Sequence, residues 1–110
     1  MKGTYLGEFE EIVLLAVGIL QDTAYGVRIC HEIEIQTNRA VNIGAVHTAL
    51  HRLEEKGFLK SKFGEATEVR GGKRKRIFSL TSYGIKALRE AQEIRNTMWS
   101  QLPKVILQRS

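Results

Sequence analysis

The chain holds one cysteine, one proline, one tryptophan and one aspartate among its 110 residues. With Cys30 alone, no intrachain disulfide can form, and its place between Ile29 and Ile33 in a helical pattern reads as a reduced, half-buried thiol rather than a redox sensor. Asp22 is the only aspartate, and no carboxylate pair, nucleophile elbow or glycine-rich phosphate loop following a strand can be assembled. Cys30 and His31 are adjacent, but neighbours on a helix point about 100° apart and make a poor dyad. No catalytic constellation results, so the chain is expected not to be an enzyme. Apolar runs are short too. The longest, Ile12 to Leu20, follows the acidic Glu8, Glu10 and Glu11, and spanning a bilayer needs roughly 18 apolar residues. With no basic, apolar leader of the secretory kind either, the expectation is a cytoplasmic protein without a membrane partner.

What is present fits an ordinary globular domain: 43% hydrophobic and 26% charged residues, enough for a single modest core. The formal net charge of +5 is unevenly placed. Residues 1–59 carry −3, residues 60–76 carry +5 and residues 77–110 carry +3. A concentrated basic segment on a nearly neutral body points to a polyanion-binding surface, the competing reading being a solvated charged hairpin.

Hydrophobic spacing gives the elements. Leu6, Phe9, Ile12, Val13, Ala16, Val17 and Leu20 recur in steps of three and four, so residues 6–21 should form an amphipathic helix. Asp22-Thr23 supplies a turn. A second helix is expected over 24–37, with Val27, Ile29 or Cys30, and Ile33 inward. Ala40-Val41 reads as a short extended piece. Asn42 is a suitable N-cap for a third helix reaching Lys56, where Gly57 stops it. Ile43, Val46, Leu50 and Leu53 form that helix's apolar stripe. Past Gly57 the period changes from 3.6 to 2: residues 58–63 and 75–80 read as strands, with Gly71-Gly72 as the turn. Thr81 opens a last long helix, which Pro103 should end or kink.

Three helices, a hairpin and a helix make a mainly α chain with a small β-hairpin, the plan of a winged helix-turn-helix with a C-terminal dimerisation helix. Residues 1–80 form the expected DNA-binding domain and residues 81–110 the dimerisation helix and tail, in one compact unit. The third helix has the dimensions of a major-groove reader. Its polar or small residues Asn42, Gly44, Ala45, His47, Thr48, His51 and Arg52 are the expected contacts. Glu54 and Glu55 come later, where the helix should rise away from phosphates. His47 and His51 are spaced to share a metal, but no Cys, Asp or Glu follows at zinc-site spacing, so neither metal nor cofactor is expected. Lys60 and Lys62 on the first strand, with Arg70, Lys73, Arg74 and Lys75 on the wing, are expected to meet phosphate. Arg76 shares the strand parity of Phe78 and Leu80, which sets it apart from the outward cations.

The last helix bears an apolar stripe with little chain left to cover it, as an interface would. Phe9, Val13, Leu88, Ala91, Ile94, Met98, Trp99 and Leu102 are the expected homodimer contacts. Trp99 has a second reading, the wall of an inter-subunit cavity for a small aromatic effector, although ordinary interface packing is favoured.

Four stretches in order, 6–10 (Leu-Gly-Glu-Phe-Glu), 24–26 (Ala-Tyr-Gly), 44–57 and 72–84, resemble PadR-family transcriptional regulators, with matching spacing over about residues 5–95. The resemblance implies a winged-helix domain, a homodimer built by the C-terminal helix and repression of a nearby operon through a palindromic duplex operator, sometimes relieved by an aromatic or drug-like ligand. It adds Tyr25 to the expected DNA contacts. His47 stands where the family commonly has Tyr, and Ser82 where Pro or an acidic residue is frequent. The single short C-terminal helix is similar to the smaller subgroup. The alternative function is a protein-interaction winged helix that binds no DNA.

Overall fold

A computed structural model describes residues 5–64 and 74–109. Helix α1 spans Glu8–Leu20 and runs through a 3-10 turn, Gln21–Thr23, into α2, Gly26–Thr37. Then come α3, Ile43–Glu55, the strands β1, Leu59–Phe63, and β2, Arg76–Leu80, the long helix α4, Ser82–Ser100, and a single turn α5, Lys104–Leu107. The strands are antiparallel, with Leu59 opposite Leu80 and Ser61 opposite Phe78. This is the expected class, mostly helical with one hairpin.

The core lies where α1, α2 and α3 meet: Val13, Leu14, Val17, Ile29, Ile33, Val46, Leu50, Leu53 and Phe58 are all almost fully buried. Side chains of this size each stabilise the fold by about 1.5–3 kcal/mol on burial. Three details differ from expectation. Val27 is 66% exposed, because it lies two residues from Ile29, on the far side of the helix. Ile43, in the first turn of α3, is 42% exposed, while Leu14 and Ala49 join the core. Ala24 does not start α2. Its carbonyl instead accepts from the Phe78 amide at 2.8 Å, so the turn before α2 lines the edge of β2 and anchors the wing.

Two local devices set the position of α3. The segment at 40–42 is not a strand. It is held by side chains of α2: the Cys30 thiol donates to the Val41 carbonyl at 3.4 Å, and the Glu34 carboxylate accepts from the Val41 amide at 3.0 Å. Burial, and then the Glu34 charge, push the Cys30 thiol above its ordinary pKa, which favours the protonated donor. Asn42 then caps α3, its Oδ1 accepting from the amides of Gly44 at 2.7 Å and Ala45 at 3.2 Å.

The exit from α3 is equally defined. Gly57 adopts φ +87°, a left-handed conformation that favours glycine and reverses the chain into β1. Thr81 joins hairpin to α4, its hydroxyl donating to the Gly57 carbonyl at 2.6 Å and accepting from the Gly84 amide at 3.0 Å. Phe58 stacks on Tyr83 with centroids 4.9 Å apart. Helix α4 packs on α1 and β2 through its first turns; residues 92–100 are exposed. No helix among the described residues is long and apolar enough to cross a membrane.

Candidate nucleic-acid interface

Gly44, Ala45, His47, Thr48, His51 and Arg52 are all exposed along one side of α3. They lie opposite the stripe of Val46, Ala49, Leu50 and Leu53 that faces the core. Asn42 is exposed as well, but its Oδ1 is committed to the helix cap, leaving the amide group as the outward part of the side chain.

The start of α2 and the root of the wing meet this face of α3. Tyr25, Gly26, Val27, His47, His51, Lys75, Arg76 and Phe78 line one open groove. The Lys75 ammonium sits 4.0 Å above the centre of the Tyr25 ring, a cation–π contact that holds the lysine at the groove edge. A hydrogen bond with Lys75, aided by the charges of Lys75 and Arg28, outweighs the opposing effect of burial and holds the Tyr25 hydroxyl below the ordinary phenol pKa. Arg74 and Lys75 are exposed beside it. A cationic rim and a polar, small-residue helix face therefore occupy one surface, as a duplex reader requires.

Not every expected residue arrives there. Ser61 meets Glu54 of α3, so by the alternation of a strand Lys60 and Lys62 point to the hairpin's opposite face. Lys62 lies instead beside Val17, Gly18, Gln21 and Asp22 at the end of α1. Arg70 and Lys73 lie outside the described residues. Arg76, set apart by parity, turns toward α3. Its Nε donates to the Ser61 hydroxyl at 2.9 Å, Nη2 is 3.4 Å from Glu54 Oε1, and Ser61 donates to Glu54 Oε2 at 2.7 Å. The spacing of Glu54, Ser61 and Arg76 in the sequence gives no sign of this network. Among the described residues no cluster of metal-binding side chains forms.

The expected interface residues also divide. Val13 has no exposed surface and belongs to the chain's own core, which corrects its assignment as a partner contact. Leu15, two residues on and about 200° round the helix, is exposed at 46%, as is Ile19 one turn later at 55%. Phe9 and Leu88 are half-buried against the core, and Ala91 is half-buried on α4. Ile94, Met98, Trp99 and Leu102 are exposed, together with Ile85, Val105, Ile106 and Leu107, which had not been foreseen. Leu15, Ile85, Leu88 and Trp99 line a groove between α1 and α4, crossed by the Arg95–Glu11 ion pair.

Residues 14–90 match the profile of the transcriptional regulator PadR-like family. No curated protein matches the chain. Among solved structures, a transcriptional regulator from Clostridium thermocellum is similar at 29% identity and a TM-score of 0.65, covering 91% of this chain and 90% of that one. A PadR-like transcriptional regulator from Bacillus cereus superposes with a TM-score of 0.70 at 15% identity, covering 89% and 90%. A PadR-like transcription factor from Bacteroides fragilis gives 0.65 at 20%, covering 93% and 89%. At such identities the last two speak for the fold, and the matched segment of 77 residues (14 through 90) carries the assignment. Its members regulate transcription rather than catalyse reactions. This chain belongs to the PadR-like family of transcriptional regulators.

Proposed function

We propose that this chain is a repressor that binds a palindromic duplex operator as a homodimer, with α3 in the major groove and the wing on the backbone or minor groove. The observation that carries the reading is the single surface shared by His47, Thr48 and His51 of α3, Tyr25 at the start of α2 and Lys75 at the wing root. A helix face of small and polar side chains approaches base edges, and flanking cations take the phosphates. Trp99 lines one groove of α4 with Leu15 and Ile85, and Ile94 and Met98 line another on the far side of the same helix. With Leu102 just beyond the helix, these exposed apolar side chains supply the surface through which two copies associate. Trp99 is an interface residue in this reading. A two-fold pair would hold its α3 helices roughly one duplex turn, about 34 Å, apart.

The test is fluorescence anisotropy with duplex DNA from the chain's own upstream intergenic region, titrated over a series of salt concentrations. Affinity that falls steeply and log-linearly with salt, together with preference over scrambled duplex, supports the reading. Absence of binding at low salt refutes it in favour of a protein-interaction module.

A further inference from the structure

Arg76 ends the most basic stretch of the chain, so composition counts it among the phosphate-binding cations. Its surroundings say otherwise. Strand alternation sends its side chain to the face that carries Ser61 and Phe78, toward the C-terminal end of α3. There the guanidinium meets the Ser61 hydroxyl at 2.9 Å and the Glu54 carboxylate at 3.4 Å, and lies 5.5 Å from the centre of the Phe63 ring and 6.0 Å from that of Phe78. Ser61 accepts from Arg76 and donates to Glu54 at 2.7 Å, so the three groups form a directed chain from wing to helix. A phosphate drawn to this guanidinium would also meet the Glu54 carboxylate, which repels it.

We infer that Arg76 is a positioning residue that fixes the wing at its angle to α3 through Ser61 and Glu54, and not a phosphate contact. The inference rests on the DNA-binding reading above for its consequence, but the lock itself exists in the free protein. Both side chains line the groove beside α3, yet these adjacent residues of one basic run divide the work: Lys75 sits over the Tyr25 ring, and the Arg76 guanidinium is held by Ser61 and Glu54. Three residues distant in sequence, one on α3 and one on each strand, make the lock, and each is replaceable without opening the core.

The lock makes a prediction that simple charge counting reverses. Glu54→Gln removes a negative charge from the helix proposed to read DNA, which by Coulomb's law alone should tighten binding. Loss of the lock should instead weaken operator binding about tenfold, on the scale of a lost charge-assisted hydrogen bond. Arg76→Gln and Arg76→Lys should both show that loss, since lysine keeps the charge but lacks the Nε donor. In neither should the slope of log affinity against log salt change, whereas removal of a true phosphate contact reduces it by about 0.9. Far-ultraviolet circular dichroism would check that each variant is folded. The inference is overturned if Arg76→Gln lowers the slope by about 0.9, if Arg76→Lys binds like wild type, or if Glu54→Gln binds more tightly. Amide hydrogen exchange at Phe63 and Gly64 in the free protein separates the two readings. Should the wild type bind no duplex, the functional proposal fails, and exchange decides the lock: about fivefold faster exchange in Glu54→Gln supports it, and unchanged exchange overturns it.

Discussion

The imidazole of His47 lies against the backbone of Gly26 so closely that a β-carbon there would stand 2.6 Å from its Cε1. Helix α2 thereby sets where a central side chain of α3 points. Gly26→Ala should push the exposed imidazole aside at little cost, within about 0.5 kcal/mol in stability, while changing which operator sequence is preferred. Selection from a random duplex pool with both proteins would show it. Identical consensus sequences would mean that His47 does not read bases.

Gly84 has the opposite character. A β-carbon there would overlap the carbonyl oxygen of Phe58, which is backbone and buried in the junction between α3 and β1. Gly84→Ala should therefore cost about 2–3 kcal/mol and lower the melting temperature by about 10–20 °C. A calorimetric scan with an unchanged midpoint would contradict the packing described.

Glu10 links the first turn of α1 to the end of α3, accepting from the Lys56 ammonium at 2.9 Å and the Gly7 amide at 3.2 Å. Burial raises its pKa, but Lys56 and the Gly7 amide outweigh burial and leave the carboxyl below its ordinary value. A depressed folded-state pKa means stability present above the unfolded value and lost as pH falls through the folded one. Glu10→Gln should cost about 0.5–1 kcal/mol at pH 7. The difference from wild type should shrink below about pH 4, as urea midpoints across that range would reveal.

Arg74→Ala with Lys75→Ala should weaken binding to all duplex sequences alike and lower the salt slope by about 1–2. Thr48→Ala or His51→Ala should shift sequence preference with the slope nearly unchanged. Equal behaviour of the two sets would refute the division between wing and helix.

Ile94 and Met98 are 61% and 66% exposed on the projecting part of α4. Ile94→Glu with Met98→Glu should abolish self-association without loss of helix content. Analytical ultracentrifugation reads the outcome, and a wild-type protein that sediments as a monomer at about 100 μM would refute the dimer.

Much of the fold is legible from spacing. The stripe of Val46, Leu50 and Leu53 identifies α3, and the cap at Asn42 and the stop at Gly57 bound it within a residue or two, because helical period and cap chemistry are local properties. The surface of α3 is legible for the same reason: once the buried stripe is known, Thr48 and His51 must face out. The errors sit where two elements meet. Val13 falls on the apolar stripe of α1 and Leu15 off it, and only the positions of α2, α3 and α4 tell that the stripe at Val13 is the chain's own core rather than a partner contact. Lys60 and Lys62 carry charge enough to be counted with the wing, yet the hydrogen bond between Ser61 and Glu54 decides which side of the hairpin faces α3.

Element order, the apolar seams and the basic character of residues 60–76 are written in the chain itself, since periodicity and charge need only neighbours along it. Which cations share a surface with α3 was settled by packing. The Ala24–Phe78 backbone bond, the Val41 tether and the Glu54–Ser61–Arg76 chain join residues 7 to 54 positions apart, and no local pattern encodes contacts of that span. The fold sends Lys75 to the Tyr25 ring and Arg76 to Ser61 and Glu54, because the start of α2 and the end of α3 are brought to the wing root only by packing.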